Sequence, residues 1–318
     1  MMEKPPSPPS DQTTPDSVSP EQLAARLRAM RAAAERGEPS AQTALGLCYI
    51  DGDGVDQDFA EALRWLSKAA DQGYANAQLN LGVLYTKGDG VAQDFKQAFR
   101  CFLQAAKQGH ADAQYHLGCA FDTGEGVAAN HAEAAGWYRK AANQGHANAQ
   151  FNLAGLYATG KGVAKDLAQA ASLFRVIADQ GHPDAQYNVG VFCASGEGVP
   201  QDFAEAAAWF RMAAEQGVAK AQASLATLYN TGQGVAQDYT EAFNWFRKAA
   251  DQGNVVAQNC LGAMYFNGDG VKRDLEQAFA WIQKAADQGD PAALDFLKAT
   301  SAKPPHGATR RRSRRKPK

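Results

Sequence analysis

Cysteine and histidine are the residues of this chain best suited to bind a metal ion or attack a substrate. The spacing of the cysteines matches no zinc-ligand pattern. They lie at Cys48, Cys101, Cys119, Cys193 and Cys260. His110, His146 and His182 recur every 36 residues, but packed helices lie about 8–10 Å apart, too far for successive imidazoles to share one ion. We therefore predict no metal site and no cofactor.

Acid–base and phosphate-binding motifs are also incomplete. The carboxylates recur in repeated positions, whereas a catalytic acid and base need two different environments that separate their pKa values. No serine or cysteine has a recognisable base nearby in the sequence. Residues 155–161 resemble the start of a phosphate-binding loop, but Gly162 stands where serine or threonine is required. We predict no catalytic residue.

The glutamines and glycines reveal the organisation of the chain. A glutamine recurs every 36 residues from Gln42 to Gln258, and a Gly-x-Gly-Val sequence recurs with the same step. Such a period predicts a stack of repeated structural units. The seven repeats are residues 39–74, 75–110, 111–146, 147–182, 183–218, 219–254 and 255–290.

Each repeat is predicted to form two helices. In the second repeat Asn76 is expected to cap the first helix and Gly88 to end it. Asp94 and Gln97 predict a reciprocal capping box at the start of the second helix, in which each side chain binds a backbone amide of the other. Small residues such as Gly82 would let the helix axes approach closely.

The sequence from Ala77 to Gly82, the loop Gly88–Val91 and the segment Ala105–Gly109 resemble the Sel-one-like repeat, a relative of the tetratricopeptide repeat. The resemblance implies an all-α fold, a right-handed α-solenoid, whose members usually work as non-catalytic protein-binding scaffolds. Some cysteine-rich relatives are described as β-lactam-binding or hydrolysing proteins, which is the alternative function. The regular cysteine pair of those relatives is missing here, so we expect reduced thiols in core or near-core positions.

The segments outside the repeats complete the predicted organisation. Residues 1–20 form a disordered, Pro/Ser-rich N-terminus, 21–38 an N-terminal capping half repeat, 291–302 a C-terminal capping helix and 303–318 a disordered basic tail. No apolar run reaches the roughly 18 residues of a membrane span, and no signal peptide is evident. We expect a cytoplasmic monomer, or a nuclear protein in a eukaryote.

The first helices supply the candidate partner-binding residues. If they line a concave face, as in tetratricopeptide stacks, aromatic and amide side chains would form a groove for a protein or peptide. The same residues could instead serve to pack and orient neighbouring helices. The candidates are Leu79, Asn80, Tyr115, His116, Asp122, Phe151, Asn152, Asp184, Tyr187, Asn188 and Lys220. His116 and His131 have no partner evident from the sequence.

The basic tail is a second candidate site. Residues 303–318 hold eight basic residues and no acidic one, so the net charge of −2 divides into +8 there and −10 over the rest. Such a segment is suited to an acidic partner, an anion or nucleic acid, without base-specific readout because it has no aromatic residue. The candidate residues are Arg310, Arg311, Arg312, Arg314, Arg315, Lys316 and Lys318.

Overall fold

The computed structural model describes residues 20–301, and within that range the chain forms sixteen α-helices and no strand. Helix α1 (Pro20–Glu35) precedes the repeats and α16 (Pro291–Ser301) follows them. The first helices of the repeats are α2 (Pro39–Asp51), α4 (Ala75–Lys87), α6 (Ala111–Thr123), α8 (Ala147–Thr159), α10 (Pro183–Ser195), α12 (Ala219–Thr231) and α14 (Val255–Asn267). The second helices are α3 (Phe59–Asp71), α5 (Phe95–Lys107), α7 (His131–Ala142), α9 (Leu167–Asp179), α11 (Phe203–Glu215), α13 (Tyr239–Asp251) and α15 (Leu275–Asp287). The predicted all-α solenoid of helix pairs is confirmed.

The helices belong to two compact units, Met1–Ala149 and Gln150–Lys318, with the division inside α8. Within each unit, helices that follow one another in the chain pack together. The predictions for residues 1–19 and for the tail at 303–318 fall outside the described residues. Helices α1 and α16 occupy the segments predicted to cap the array.

Aspartate or asparagine caps each second helix for which a cap is described, as predicted. The Asp94 carboxylate accepts hydrogen bonds from the backbone amides of Lys96 and Gln97. The predicted return bond from Gln97 is wrong, because the Asp94 amide instead donates to the carbonyl of Tyr85 in α4, at 2.9 Å. The loop folds back onto the first helix, so that amide already has a partner.

The start of the first helix also differs from the prediction. The N-cap of α4 is Tyr74, not Asn76, which lies inside the helix. The Asn76 side-chain oxygen instead accepts a hydrogen bond from Nε2 of His110, at 2.9 Å. Asn76 therefore links α4 to His110, the N-cap residue of α6.

The predicted helix-ending glycines are confirmed. Gly88 follows α4 with a left-handed φ of 81°, and its amide donates to the Leu84 carbonyl. Gly109 follows α5 with a φ of 91°, and the next amide, of His110, reaches back to the Ala105 carbonyl. Both geometries satisfy carbonyls that the helix itself leaves unpaired.

Glycines on the first helices admit a large side chain from the second helix of the same repeat. A Cβ atom at Gly82 would lie 2.5 Å from the Phe102 ring, and one at Gly118 would lie 2.4 Å from Tyr138. Phe102 and Tyr138 are both buried. The predicted role of these glycines in close helix packing is confirmed, and in both repeats a buried aromatic ring packs directly on the glycine.

Candidate functional site

In the first unit, two of the candidate residues take part in the packing of α4. Leu79 is half-buried and packs against the cluster around Phe102. The side-chain amide of Asn80 donates to the Asn76 carbonyl at 2.7 Å. This bond within the helix uses one N–H of the side-chain amide that was expected to bind a peptide backbone. Only the second N–H and the side-chain oxygen of Asn80 remain for that role.

Aromatic and histidine rings stack along α6. Tyr115 lies on His146 with the ring centroids 4.6 Å apart. His116, which was predicted to have no evident partner, stacks on Phe102 at 4.6 Å and 9°. Burial lowers the pKa of His116 below its ordinary value of 6.5. These contacts hold the rings at the helix–helix contact and leave both residues only half-exposed.

Two histidines of the first unit bind carboxylates. Nδ1 of His131 lies 2.7 Å from Asp122, and Nε2 of His146 lies 3.3 Å from Asp112. The partner of His131 was not evident from the sequence; it lies nine residues earlier, on the preceding helix. Asp122, a candidate for setting partner choice, is engaged in this pair.

In the second unit the aromatic candidates continue the pattern. Phe151 stacks on His182 with centroids 5.3 Å apart and meets the edge of Phe174 at 5.2 Å. Tyr187 lies 5.8 Å from Phe210. Phe151 and Tyr187 are half-buried. Each therefore packs against a neighbouring ring and leaves part of its own face on the surface.

The polar candidates of the second unit are more accessible. Asp184 and Lys220 are exposed, and Asn152 and Asn188 are half-buried. None of these four side chains forms a hydrogen bond or ion pair with another residue of the range 20–301. They are the candidates whose polar groups are available to a partner.

Two adjoining cavities open between the first helices of the second unit. One, of about 400 Å³, is lined by residues of α10, α11, α12 and the following loop, among them Val191, Phe210 and Leu228. The other, of about 300 Å³, lies between Tyr187, Lys220 and residues of α14. Ser224 and Thr227 line both cavities, which therefore form one groove; we call it the α12 groove.

The five cysteine thiols are free. Burial raises the pKa of Cys101 to about 11, and it is the largest cause of a raised pKa at the other four thiols as well. Since the thiolate is the reactive form, these environments disfavour a nucleophilic thiol. The described residues contain no group of three or more histidine, cysteine or acidic side chains placed to hold a metal ion.

A ladder of buried glutamines joins successive repeats, and the sequence analysis recognised its members only as repeat markers. In the sixth repeat, Gln222 donates to the Ala214 carbonyl of the preceding helix at 3.1 Å. Its side-chain oxygen accepts from Gln252 at 2.8 Å, at the end of the next helix. The same pair of bonds forms at Gln42, Gln78, Gln114, Gln186 and Gln258.

No helix in residues 20–301 is long and apolar enough to cross a membrane. The candidate anion-binding residues Arg310 to Lys318 lie outside the described residues. The structure thus describes one of the two candidate sites, the surface of the first helices.

Tandem helix pairs of constant length, joined by glycine turns and a glutamine ladder, define an all-α repeat protein. The model of the Sel1 repeat matches residues 39–74, 75–110, 111–146, 147–182, 183–218, 219–254 and 255–290. The chain therefore belongs to the Sel1 repeat family, as the sequence resemblance predicted. Proteins of this family generally act as protein-interaction scaffolds.

Two solved structures are similar over nearly the whole chain. One is c5321, a protective antigen of uropathogenic Escherichia coli with an SLR fold; it is 34% identical, the match covers 90% of this chain and 68% of that one, and the TM-score is 0.83. The other is a Sel1 repeat protein of Oxalobacter formigenes, 38% identical, with coverages of 90% and 83% and a TM-score of 0.68. No match was found among the curated proteins.

Proposed function

We propose that this chain is a non-catalytic scaffold that binds a protein or peptide partner on the surface of its first helices. The observation that carries the proposal is the accessible set of side chains on those helices in the second unit. Tyr187 offers part of a ring, and Asp184 and Lys220 offer charges without an ion-pair partner in residues 20–301. An apolar surface with a few fixed polar groups is the usual composition of a peptide-binding groove.

The second helices use many of their aromatic side chains for packing. Their large side chains, such as Phe210 and Phe246, are buried against the first helices. Several of their tryptophans lie under a basic side chain; Lys248 covers Trp245 at 3.9 Å, and Lys284 covers Trp281 at 3.7 Å. The second helices also expose apolar side chains, among them Val176, Met212 and Phe279. The accessible polar candidates Asp184 and Lys220, and not exposed apolar area, are what favours the first helices.

Site-specific photo-crosslinking tests the binding face. A photoreactive amino acid would be placed at exposed first-helix positions Asp112, Asp184 and Lys220, and at the exposed second-helix positions Arg100 and Ala208 as matched controls. We expect partner crosslinks from the first three positions and not from the controls. Crosslinks mainly from Arg100 and Ala208 would assign binding to the second helices and reject the proposal.

Substitutions test the same surface independently. Lys220→Glu combined with Tyr187→Ala should weaken capture of a crosslinked partner while leaving the helical circular dichroism signal unchanged. Lys220 is exposed and Tyr187 lies partly on the surface, and neither belongs to the buried core. A partner that binds this variant as tightly as the unaltered chain would show that these residues do not form the contact.

The basic tail supports a second candidate function, association with an acidic partner or nucleic acid. The observation behind it is the run of eight basic residues without an acidic one in 303–318. Binding through such a segment should weaken steeply with salt and vanish when residues 303–318 are deleted. Salt-independent binding, or binding that survives the deletion, would argue against it.

A further inference from the structure

The α12 groove lies where the sixth repeat departs from the second to fifth repeats at two neighbouring positions. Ala223 stands where those four repeats have a large side chain, and Ser224 stands where they have asparagine or histidine. The large side chains of this column are Leu79, Tyr115, Phe151 and Tyr187. Ala223 leaves space beside Tyr187 in one of the two cavities, and the small Ser224 borders both of them.

The walls of the α12 groove are apolar along most of its length. Val191, Phe210 and Leu228 line one part, and Val256 lies at the other end with 59% of its surface exposed. The cavity volumes of about 400 and about 300 Å³ fall in the range of roughly 300–1,000 Å³ that ligand pockets occupy. The groove is therefore large enough for several side chains of a peptide.

Lys220 is the only charged residue among those that line the α12 groove. Its ammonium group is exposed and forms no ion pair with another residue of the described range. Ser224 and Asn254 add neutral polar groups close to it. The groove thus combines an apolar wall with a single positive charge, which complements an anionic ligand.

We propose that the α12 groove binds an extended peptide segment of a partner protein that carries an apolar side chain and a carboxylate. The apolar side chain packs between Val191 and Leu228, and the carboxylate pairs with Lys220. This inference rests on the proposed scaffold function and names the chemistry of its partner. The chain's own tail is a poor occupant, because its eight basic residues would meet Lys220 with like charge.

The spacing of the two groups in the peptide follows from α12. Lys220 and Thr227 are seven residues apart, which corresponds to about 10 Å along a helix. An extended peptide advances about 3.3 Å per residue, so the apolar side chain and the carboxylate should lie three positions apart. The probes are fluorescein-labelled decapeptides of glycine and serine that contain leucine and glutamate three positions apart, in both orders.

Fluorescence anisotropy with the full-length chain provides the test. We expect a leucine–glutamate decapeptide to bind more tightly than matched peptides with lysine for glutamate or serine for leucine. The preference for glutamate over lysine should be about two- to fivefold, as for an exposed ion pair. Equal affinities for the glutamate and lysine peptides, or no binding of any peptide at millimolar concentration, would overturn the proposal.

Two variants separate the charge from the cavity. Lys220→Glu should invert the preference, so that the lysine peptide binds more tightly. Ala223→Tyr restores the ring found at Tyr115 and Tyr187 and fills the groove, so it should reduce the affinity for every peptide at least tenfold. Ala208→Tyr adds the same ring at an exposed position of α11 and should leave the affinities unchanged.

The outcomes also separate this inference from the proposed function. Unchanged peptide affinity in a folded Ala223→Tyr variant would reject the α12 groove, while first-helix crosslinks would still support the scaffold. Peptide binding that appears only after deletion of residues 303–318 would assign the groove to the tail and reject a partner segment as its occupant. Circular dichroism of each variant confirms that the comparison is between folded chains.

Discussion

Several glycines of the first helices are required because a side chain of the second helix occupies the space of a Cβ atom. A Cβ atom at Gly118 would lie 2.4 Å from the Tyr138 ring, a ring that is 1% exposed. Gly136, on the second helix of the same repeat, has no atom within 4 Å of the position where its Cβ would be. Two helical glycines of one repeat thus have opposite environments.

We predict that Gly118→Ala destabilises the chain by about 1–3 kcal/mol, because the buried Tyr138 ring must move to admit the methyl group. Gly136→Ala should instead be stabilising by about 0.4–1 kcal/mol, since it only restricts the unfolded chain. Urea denaturation followed by circular dichroism measures both. A Gly118→Ala variant as stable as Gly136→Ala would show that the ring relaxes without cost.

His116 should make stability depend on pH. Burial lowers its pKa in the folded chain below the ordinary value of 6.5, so the unfolded chain binds the proton more readily. The contribution of His116 is fully present above pH 6.5 and is lost progressively as the pH falls below that value. His116→Asn, which introduces the residue found at Asn80, should reduce the loss of stability between pH 7.5 and about 5.5. Urea midpoints at the two pH values test this, and an unchanged difference would contradict it.

At the scale of the helices, the glutamine ladder is the main polar connection between repeats. Gln222 is 4% exposed and contacts both the helix before it and the helix after it. A buried amide that loses one partner leaves the other unsatisfied, at a cost of about 1–3 kcal/mol. The position requires glutamine because the side chain must reach both helices, with a nitrogen that donates to one and an oxygen that accepts from the other.

A double-mutant cycle measures the bond between Gln222 and Gln252, the part of the ladder that joins the two helices of the sixth repeat. Gln222→Ala should destabilise the chain by about 1–3 kcal/mol, because the Ala214 carbonyl and the Gln252 amide lose their partner. Gln252→Ala, at an exposed position, should cost less. The double variant should be more stable than the sum of the two losses implies, by about 0.5–1.5 kcal/mol. Strict additivity would indicate that the two amides do not interact in solution.

Helix existence, helix ends and repeat boundaries follow from local signals in the sequence. Gly88 and Asp94 illustrate this, because a left-handed C-cap and a side-chain N-cap depend on residues close in the chain. The contacts that the sequence did not predict join distant residues: Gln252 reaches Gln222 across 30 residues, and His110 reaches Asn76 across 34. Three-dimensional proximity, which residue spacing alone does not reveal, decides these bonds.

The candidate site shows the same limit. The sequence identified the half-exposed Tyr187 and the exposed Lys220 as candidates, and both line the α12 groove. It did not identify the groove, although Ala223, which follows large side chains at the same position of the second to fifth repeats, was a visible signal. Asp122 and Asn80 were candidates by their polarity, and only their contacts show that His131 and Asn76 engage them.

For the whole molecule, stability should be distributed repeat by repeat. The helices pack mainly against their neighbours in the chain, and the two compact units each contain several such contacts. In an array of this kind the stability is approximately the sum of repeat and nearest-neighbour terms. A defect near one end should therefore loosen the adjacent helices before it affects distant ones.

Ile282→Ala provides the decisive case. Ile282 is 2% exposed, covers Gly262 and packs in the cluster that includes Phe296 of α16. Its truncation should cost about 2–5 kcal/mol through lost burial and the cavity left behind. Hydrogen–deuterium exchange should then quicken in α14, α15 and α16 while residues 20–149 keep their protection.

Gln283→Ala, at an exposed position of the same helix, should change stability by no more than about 0.5 kcal/mol and serves as the control. An equal rise in exchange across residues 20–149 would mean that the array unfolds as one cooperative unit.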